Sequence, residues 1–323
     1  MDLRPFVVGL GRSGAGLHVP ALARAGVSSA RPLGYDPQSI TDPPVRRVGA
    51  IEEAAALTPP SRTVVHLCVP PGARPALVDR LARLGYRRFL MEKPLAVTEA
   101  DRALLNRLVR RYRLDVVVVA QWLASGLTGR VASIVRGGRL GRPVALRMVQ
   151  HKPRFGRSLA SQDHPTAFDV ELPHGLGLVL HLAGPATIRA AGCADLVLGR
   201  SRLPRLGSAW VSLAHDSGVR TLLSSDLTAP VRARTLTVHL EHGTVRAHYP
   251  VSEADNYAQL ETEAAGERRR IVFPDDAFAS FVRQAYRHFR GSGRLAGNLC
   301  LHDEVTAMLG RAKELSGGAP DAS

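Results

Sequence analysis

Phe6-Val7-Val8-Gly9-Leu10-Gly11-Arg12-Ser13-Gly14 sets a short apolar run directly against a G-x-G-x-x-G turn. Three large apolar residues bounded by glycine read as a buried strand. The glycine spacing permits a tight turn and close approach of a pyrophosphate to a helix N-terminus. Alone, the spacing is a weak signal. Leu33-Gly34-Tyr35 reads as the next strand and ends at Asp36, 22 residues after Gly14. A carboxylate there can accept both hydroxyls of a ribose. The two stretches together predict a nicotinamide cofactor held by Gly9, Gly11, Arg12, Ser13, Gly14 and Asp36. No Arg or Lys falls between Asp36 and Val45 to meet a 2′-phosphate, which favours NAD, while Arg31 and Arg46 keep NADP open.

Outward from this stretch, residues 1–120 alternate short apolar runs with helical patterns. Strands are expected at Thr63–Cys68, Phe89–Met91 and Asp115–Ala120, with helices ending at Leu84 and spanning Thr98–Tyr112. Such alternation is how a parallel, helix-covered sheet reads. After Gln121 the texture changes. A helix near Gly126–Val135 and a strand near Pro143–Gln150 precede an expected loop from Lys152 to Phe168. A helix at Leu172–Ala183 follows, then β-runs with turn residues between them from Ile188 to Ile271. Helical patterns close the chain at Ala277–Phe289 and Asn298–Leu315. The expected fold class is α/β: a doubly wound parallel sheet of the Rossmann type over 1–120, and an α+β domain with a mostly antiparallel open sheet over 121–323.

The chain has 323 residues, 45% hydrophobic, enough for two cores. No apolar run approaches the roughly 20 residues that span a bilayer. Cys68, Cys193 and Cys300 are odd in number and scattered, which suggests neither a disulfide framework nor a zinc site. His239, His242 and His248 lack metal spacing. The expectation is a soluble cytoplasmic protein without metal. The formal charge of +15 comes from 43 basic residues spread along the whole chain. Arg107, Arg110, Arg111 and Arg113 form the densest group, on a helix whose leucines face inward, so they read as a solvated face. No recognition-helix or stacking pattern accompanies them, and no nucleic-acid partner is expected.

Among those 43 basic residues only Lys93, Lys152 and Lys313 are lysines. Lys93 follows the strand Phe89-Leu90-Met91 within Glu92-Lys93-Pro94. Arginine cannot give up a proton near neutral pH, whereas a desolvated lysine can. A chain that has made almost all its cations arginine yet places lysine here points to an acid. The plain alternative is an ion pair with Glu92 at the strand end.

The stretches Gly9–Gly14 with His18-Val19-Pro20-Ala21-Leu22, Val69-Pro70-Pro71, and Glu92-Lys93-Pro94-Leu95-Ala96 resemble the glucose–fructose oxidoreductase / inositol dehydrogenase (Gfo/Idh/MocA) family. The likeness continues more loosely through Leu140-Gly141-Arg142-Pro143 and the helix around His174. It implies that Val69, Pro70, Pro71, Glu92, Lys93 and Gln121 join the cofactor site. It also implies that Lys93 and His174, from the second domain, meet over the nicotinamide. The family carries an Asp four residues before that histidine. Here Val170 stands at that position, with Glu171 three and Asp169 five residues before His174. Three residues apart on a helix shares a face, so Glu171 is the expected orienter of His174. Trp122, Lys152, Arg154, Lys93 and His174 are the expected substrate contacts.

The resulting expectation is hydride transfer between nicotinamide and a secondary alcohol or ketone of a sugar, cyclitol or related substrate. Lys93, His174 and Glu171 would manage the proton. Reduction of a C=N bond, and a non-catalytic cofactor-binding regulator, are the rival expectations. A homodimer or homotetramer is expected through the bare face of the antiparallel sheet.

Overall fold

The computed structural model describes residues 3–27, 31–38, 44–160, 164–252, 255–293, 295 and 297–317. The apolar run after Arg4 forms strand β1 (Arg4–Val8), buried from Pro5 onward. It is followed by β2 (Leu33–Tyr35), β3 (Arg46–Arg47), β4 (Thr63–Leu67), β5 (Arg88–Met91) and β6 (Asp115–Val118). All neighbours in this sheet run parallel, in the order β3-β2-β1-β4-β5-β6. Strand order reverses between β1 and β4, and ligands of such sheets bind at the carboxyl ends beside that reversal. Helices α1 (Val19–Arg24), α2 (Ile51–Leu57), α3 (Arg74–Arg83) and α4 (Glu99–Tyr112) cover it. Thr98 caps α4 by accepting the Asp101 N–H at 3.1 Å. The core is built from Phe6, Val65, Leu67, Phe89, Met91 and Val118 with helix residues such as Leu81 and Leu105.

The second sheet follows helix α5 (Gly126–Gly137), and helices α6 (Phe155–Ala160) and α7 (Leu172–Ala183) lie within its span. Its strands are β7 (Pro143–His151), β8 (Ala186–Leu198), β9 (Ser201–His215), β10 (Arg220–Asp226), β11 (Ala233–Leu240), β12 (Gly243–His248), β13 (Tyr257–Ala264) and β14 (Glu267–Pro274). They lie in the order β14-β13-β12-β11-β7-β10-β9-β8. Only the β7–β10 pair is parallel.

Paired residues of neighbouring strands share a sheet face. One register row reads Val211, Leu223, Met148, Leu236, Ala247, Leu260 and Ile271. Its first six members are buried. α7 lies on this side, since a Cβ on Gly175 would meet Leu223 Cδ2 at 2.7 Å. α5 lies on it too, beside Leu260 and Ile271. The opposite face carries Trp210 and Leu222, which are 40% and 42% exposed. Both helices thus cover one side, and among the described residues no helix covers the other, where Trp210 and Leu222 stay exposed.

The expected loop over Lys152–Phe168 contains α6 and a single 3₁₀ turn at Ala167–Asp169, with 161–163 outside the described residues. Pro153 and Gly156 hid a six-residue helix that is too short to show a period. The chain divides into two compact units, Met1–Gln121 with Phe278–Thr306, and Trp122–Ala277 with Ala307–Ser323. A single cut at 120/121 does not anticipate the return of 278–306. That return, through α8 (Ala277–Phe289) and the start of α9 (Asn298–Gly317), has clear physical anchors. Asn298 donates its amide N–H to Val118 O at 3.1 Å and accepts the Val118 N–H at 2.7 Å. Its side chain stands where a seventh strand would pair with the edge strand β6. Asp303 accepts from Arg102 and Asn106 on α4, each at 2.6 Å.

Candidate active site

The first unit holds the glycine turn and Lys93. Gly9 has φ +90°, and a Cβ there would sit 2.8 Å from Cys68 O. Gly14 is tighter: its Cβ would lie 1.9 Å from Gly9 O and 3.1 Å from Val7 Cγ1. A Cβ on Gly11 would meet no protein atom within 4 Å. One glycine makes the turn, one closes the backbone on itself and one leaves open space, which fits a pyrophosphate cradle. Asp36 is oriented by two backbone donors, Leu10 N at 2.7 Å and Gln38 N at 2.9 Å. These bonds tie the end of β2 to the turn after β1. At this corner Arg47 donates to Asp36 O at 3.4 Å and to Gln38 O at 3.3 Å. Sequence spacing passed over Arg47, because strand pairing rather than proximity along the chain brings it to this corner.

Glu92 joins the pieces. Its Oε1 accepts from Ser13 Oγ of the glycine turn at 2.7 Å and lies 3.0 Å from His18 Nε2. Its Oε2 accepts the Lys93 N–H at 3.2 Å. His18 Nδ1 is 2.8 Å from His66 Nδ1, and His66 Nε2 is 2.9 Å from the Tyr286 hydroxyl. His66 lies on β4 and Tyr286 on α8, and neither was singled out in the sequence. Burial opposes a charged His18, but the Cys68 sulfur and the Glu92 carboxylate outweigh it and push its pKa up. Burial, and then the charge on His18, hold His66 well below the usual imidazole range. Burial would raise the pKa of Glu92, yet hydrogen bonding and charge from His18, with Lys93 and Ser13, hold it well below the carboxylate range.

Arg74 is 2% exposed and donates to Val69 O at 3.2 Å, to Leu95 O at 3.4 Å and to Pro94 O. It therefore fastens the Val69-Pro70-Pro71 turn to the segment after Lys93. Burial pulls its pKa down to about 10, so it remains cationic at neutral pH. Gln121 opens the 3₁₀ turn Gln121–Ala124 that follows β6.

In the second unit, Pro173 sits at the start of α7, a position that suits its missing N–H. It places His174 in the first turn, 9% exposed. The His174 ring meets Trp122 edge-on at 6.5 Å, and Trp122 meets Tyr249 at 4.9 Å. The Arg234 guanidinium stands 5.1 Å over the Trp122 ring. Arg234, Gln150 and Ser225 share one register row, on the face that α7 covers. Lys152 and Arg154 continue beyond β7, their N–H groups donating to Asp226 O and Leu227 O.

The two lysines other than Lys93 lie on the acids that flank Val170. Lys152 Nζ is 2.5 Å from Glu171 Oε1, and Lys313 Nζ is 2.6 Å from Asp169 Oδ1. Asp169 also accepts from Thr166 Oγ1 at 2.7 Å. Val170 itself is buried. Burial lowers the pKa of Lys152 despite the Glu171 pair, and Arg234 and Arg154 add to that direction. Among the described residues no cluster of His, Cys, Asp or Glu could hold a metal ion. Among the same residues no helix is long and apolar enough to cross a membrane.

No protein-family model and no curated protein matches the chain. Solved structures do. A 3-ketoreductase from Actinomadura kijaniata, in complex with NADP and TDP-benzene, is similar at a TM-score of 0.82 with 15% identity, covering 98% of each chain. The likeness is one of fold. An oxidoreductase from Agrobacterium radiobacter, in complex with NAD+, L-tartaric acid and magnesium, is similar at 0.78 with 13% identity. That match covers 98% of this chain and 97% of the other. Both extend across the parallel sheet and the antiparallel sheet together.

Proposed function

We propose that this chain is an NAD(P)-dependent oxidoreductase of the Gfo/Idh/MocA type. It would interconvert a secondary alcohol and a ketone on a sugar, cyclitol or related small molecule. The observation that carries this reading is the Glu92 carboxylate, which ties the glycine turn through Ser13 to the strand end that presents Lys93. A bound nicotinamide supplies or takes the hydride. Gly9, Gly11, Arg12, Ser13, Gly14 and Asp36 would hold it, with the Val69-Pro70-Pro71 turn and Gln121. Lys93 takes the hydroxyl proton as the carbonyl forms, and returns it in the reverse direction. His174 shares that proton, and Glu171, held by Lys152, fixes the imidazole. Trp122, Lys152 and Arg154 contact the substrate.

Asp36 supports NAD, while the Arg47 guanidinium at the Asp36 and Gln38 carbonyls supports NADP as the second reading. Incubation with NAD or NADP and a panel of polyols, cyclitols and sugar nucleotides tests both. The 3-ketoreductase complex with TDP-benzene is the reason to include sugar nucleotides. We expect reduced-nicotinamide absorbance to rise with at least one polyol-type substrate. A panel silent in both directions, with a ketone-plus-amine pair active instead, would transfer the reading to C=N reduction.

The bare face of the second sheet supports a homodimer or homotetramer. A large, partly apolar face with Trp210 and Leu222 is poorly suited to water. The charge of +15 opposes self-association, so salt should strengthen an apolar contact. We expect light scattering to give a multiple of 34.7 kDa that is favoured at high ionic strength. A single monomer mass at low and high salt would refute it.

A further inference from the structure

Glu92, His18, His66 and Tyr286 form an unbroken line within the first unit, with links of 3.0, 2.8 and 2.9 Å. His18, His66 and Tyr286 are each fully buried. Two Nδ1 atoms facing each other at hydrogen-bond distance share one proton and only one, because two N–H groups collide and two lone pairs repel. The Glu92 carboxylate only accepts, so His18 Nε2 carries hydrogen. Two states remain. In the cationic state His18 donates to both Glu92 and His66, and His66 donates through Nε2 to the Tyr286 oxygen. In the neutral state Tyr286 donates to His66 Nε2, and His66 donates through Nδ1 to His18. Adding one proton reverses both inner bonds and puts a positive charge beside Glu92.

We propose that His18, His66 and Tyr286 are positioning residues that set how much of the Glu92 charge reaches Lys93. In the cationic state the imidazolium answers the carboxylate, and the Lys93 ammonium loses part of the charge that holds its proton. In the neutral state the full carboxylate charge favours the ammonium. The other groups facing this line are Cys68 at the end of β4, Arg74 at the start of α3, Ser13 of the glycine turn, the Phe278 ring of α8, and Arg290, whose guanidinium stands 5.7 Å over the Tyr286 ring. Arg74 is cationic in both states, so it biases the line without switching it. The raised His18 and depressed His66 favour the cationic state in the folded protein.

The inference gains its meaning from the reading of Lys93 as the acid, but its test reads the Lys93 proton without turnover. Competitive acetylation with acetic anhydride across pH, followed by mass spectrometry, gives the midpoint at which Lys93 becomes reactive. Lys152 and Lys313 serve as internal references in the same digest. His66→Leu removes the acceptor that the cationic state needs. The Lys93 midpoint is expected to rise by about one pH unit. His66→Asn offers an amide oxygen to the same N–H and should keep the wild-type midpoint. Superimposed Lys93 curves for wild type and His66→Leu would overturn the proposal. Should His66→Leu not fold, ¹⁵N shifts of the wild-type histidines at neutral pH decide. His18 must be protonated on both ring nitrogens and His66 on Nε2 alone; two neutral rings overturn the assignment. A silent substrate panel and a flat labelling response are separate failures, the first of the reaction and the second of the relay.

Discussion

Lys93→Arg is expected to bind nicotinamide cofactor within a few-fold of wild type and to lose about 10²-fold or more in turnover, the usual scale for a lost acid/base. Charge and approximate length are kept, and the backbone N–H of residue 93 still donates to Glu92. The transferable proton is lost, since a guanidinium stays charged throughout the working pH range. The chain has made the same comparison elsewhere. Of its 43 basic residues all but three are arginine, and the other two lysines, Lys152 and Lys313, bind buried carboxylates. Cofactor titration by fluorescence beside steady-state turnover checks the expectation. Wild-type turnover in Lys93→Arg would reduce Lys93 to an ion-pair partner.

Gly14→Ala and Gly11→Ala should fail in different ways. A methyl at Gly14 would lie 1.9 Å from Gly9 O, a backbone atom that cannot swing aside. The turn must therefore move, and overpacking of this kind costs about 1–3 kcal/mol in stability. A displacement near 1 Å in a positioning loop can also cost about 10²-fold in function. A lower Tm together with weak cofactor binding is expected. A methyl at Gly11 meets no protein atom within 4 Å, so Tm should be unchanged. Cofactor affinity should still fall, because the methyl would occupy space left for the pyrophosphate. Calorimetry and cofactor titration on both variants check this. Undiminished affinity in Gly11→Ala would show that no ligand approaches that backbone.

Most of the parallel sheet was legible because its strands are short apolar runs bounded by turn residues, as in Phe6–Val8 and Thr63–Leu67; the edge strand β3, Arg46–Arg47, has no apolar residue and was not anticipated. The antiparallel sheet was legible from alternation, as along Ala209–Leu213. The glycine turn, Asp36 and Glu92-Lys93-Pro94 could be read because their chemistry depends on spacing within one short stretch. His66, Tyr286 and Arg74 could not. Each acquires its role from a partner at the end of another element: His66 sits amid an apolar strand, and Arg74 is one arginine among many. Glu171 was read from helical spacing to His174; it stands just before α7, and its carboxylate meets Lys152, 19 residues earlier, at the end of β7. The return of 278–306 to the first unit left no mark in composition. It rests on contacts between distant residues: Asn298 at the sheet edge, Asp303 against α4 and Tyr286 against His66.

The Asn298 amide has a consequence for how the protein is made. Until residue 298 has left the ribosome, β6 has no side-chain partner for the N–H and C=O of Val118. An uncovered edge strand is a template for pairing with another chain. The nascent first unit therefore spends the synthesis of some 180 further residues with one edge open. A fragment ended at Gln121 keeps that edge permanently. Expression of the first unit alone calls for the 278–306 segment to be joined back to it.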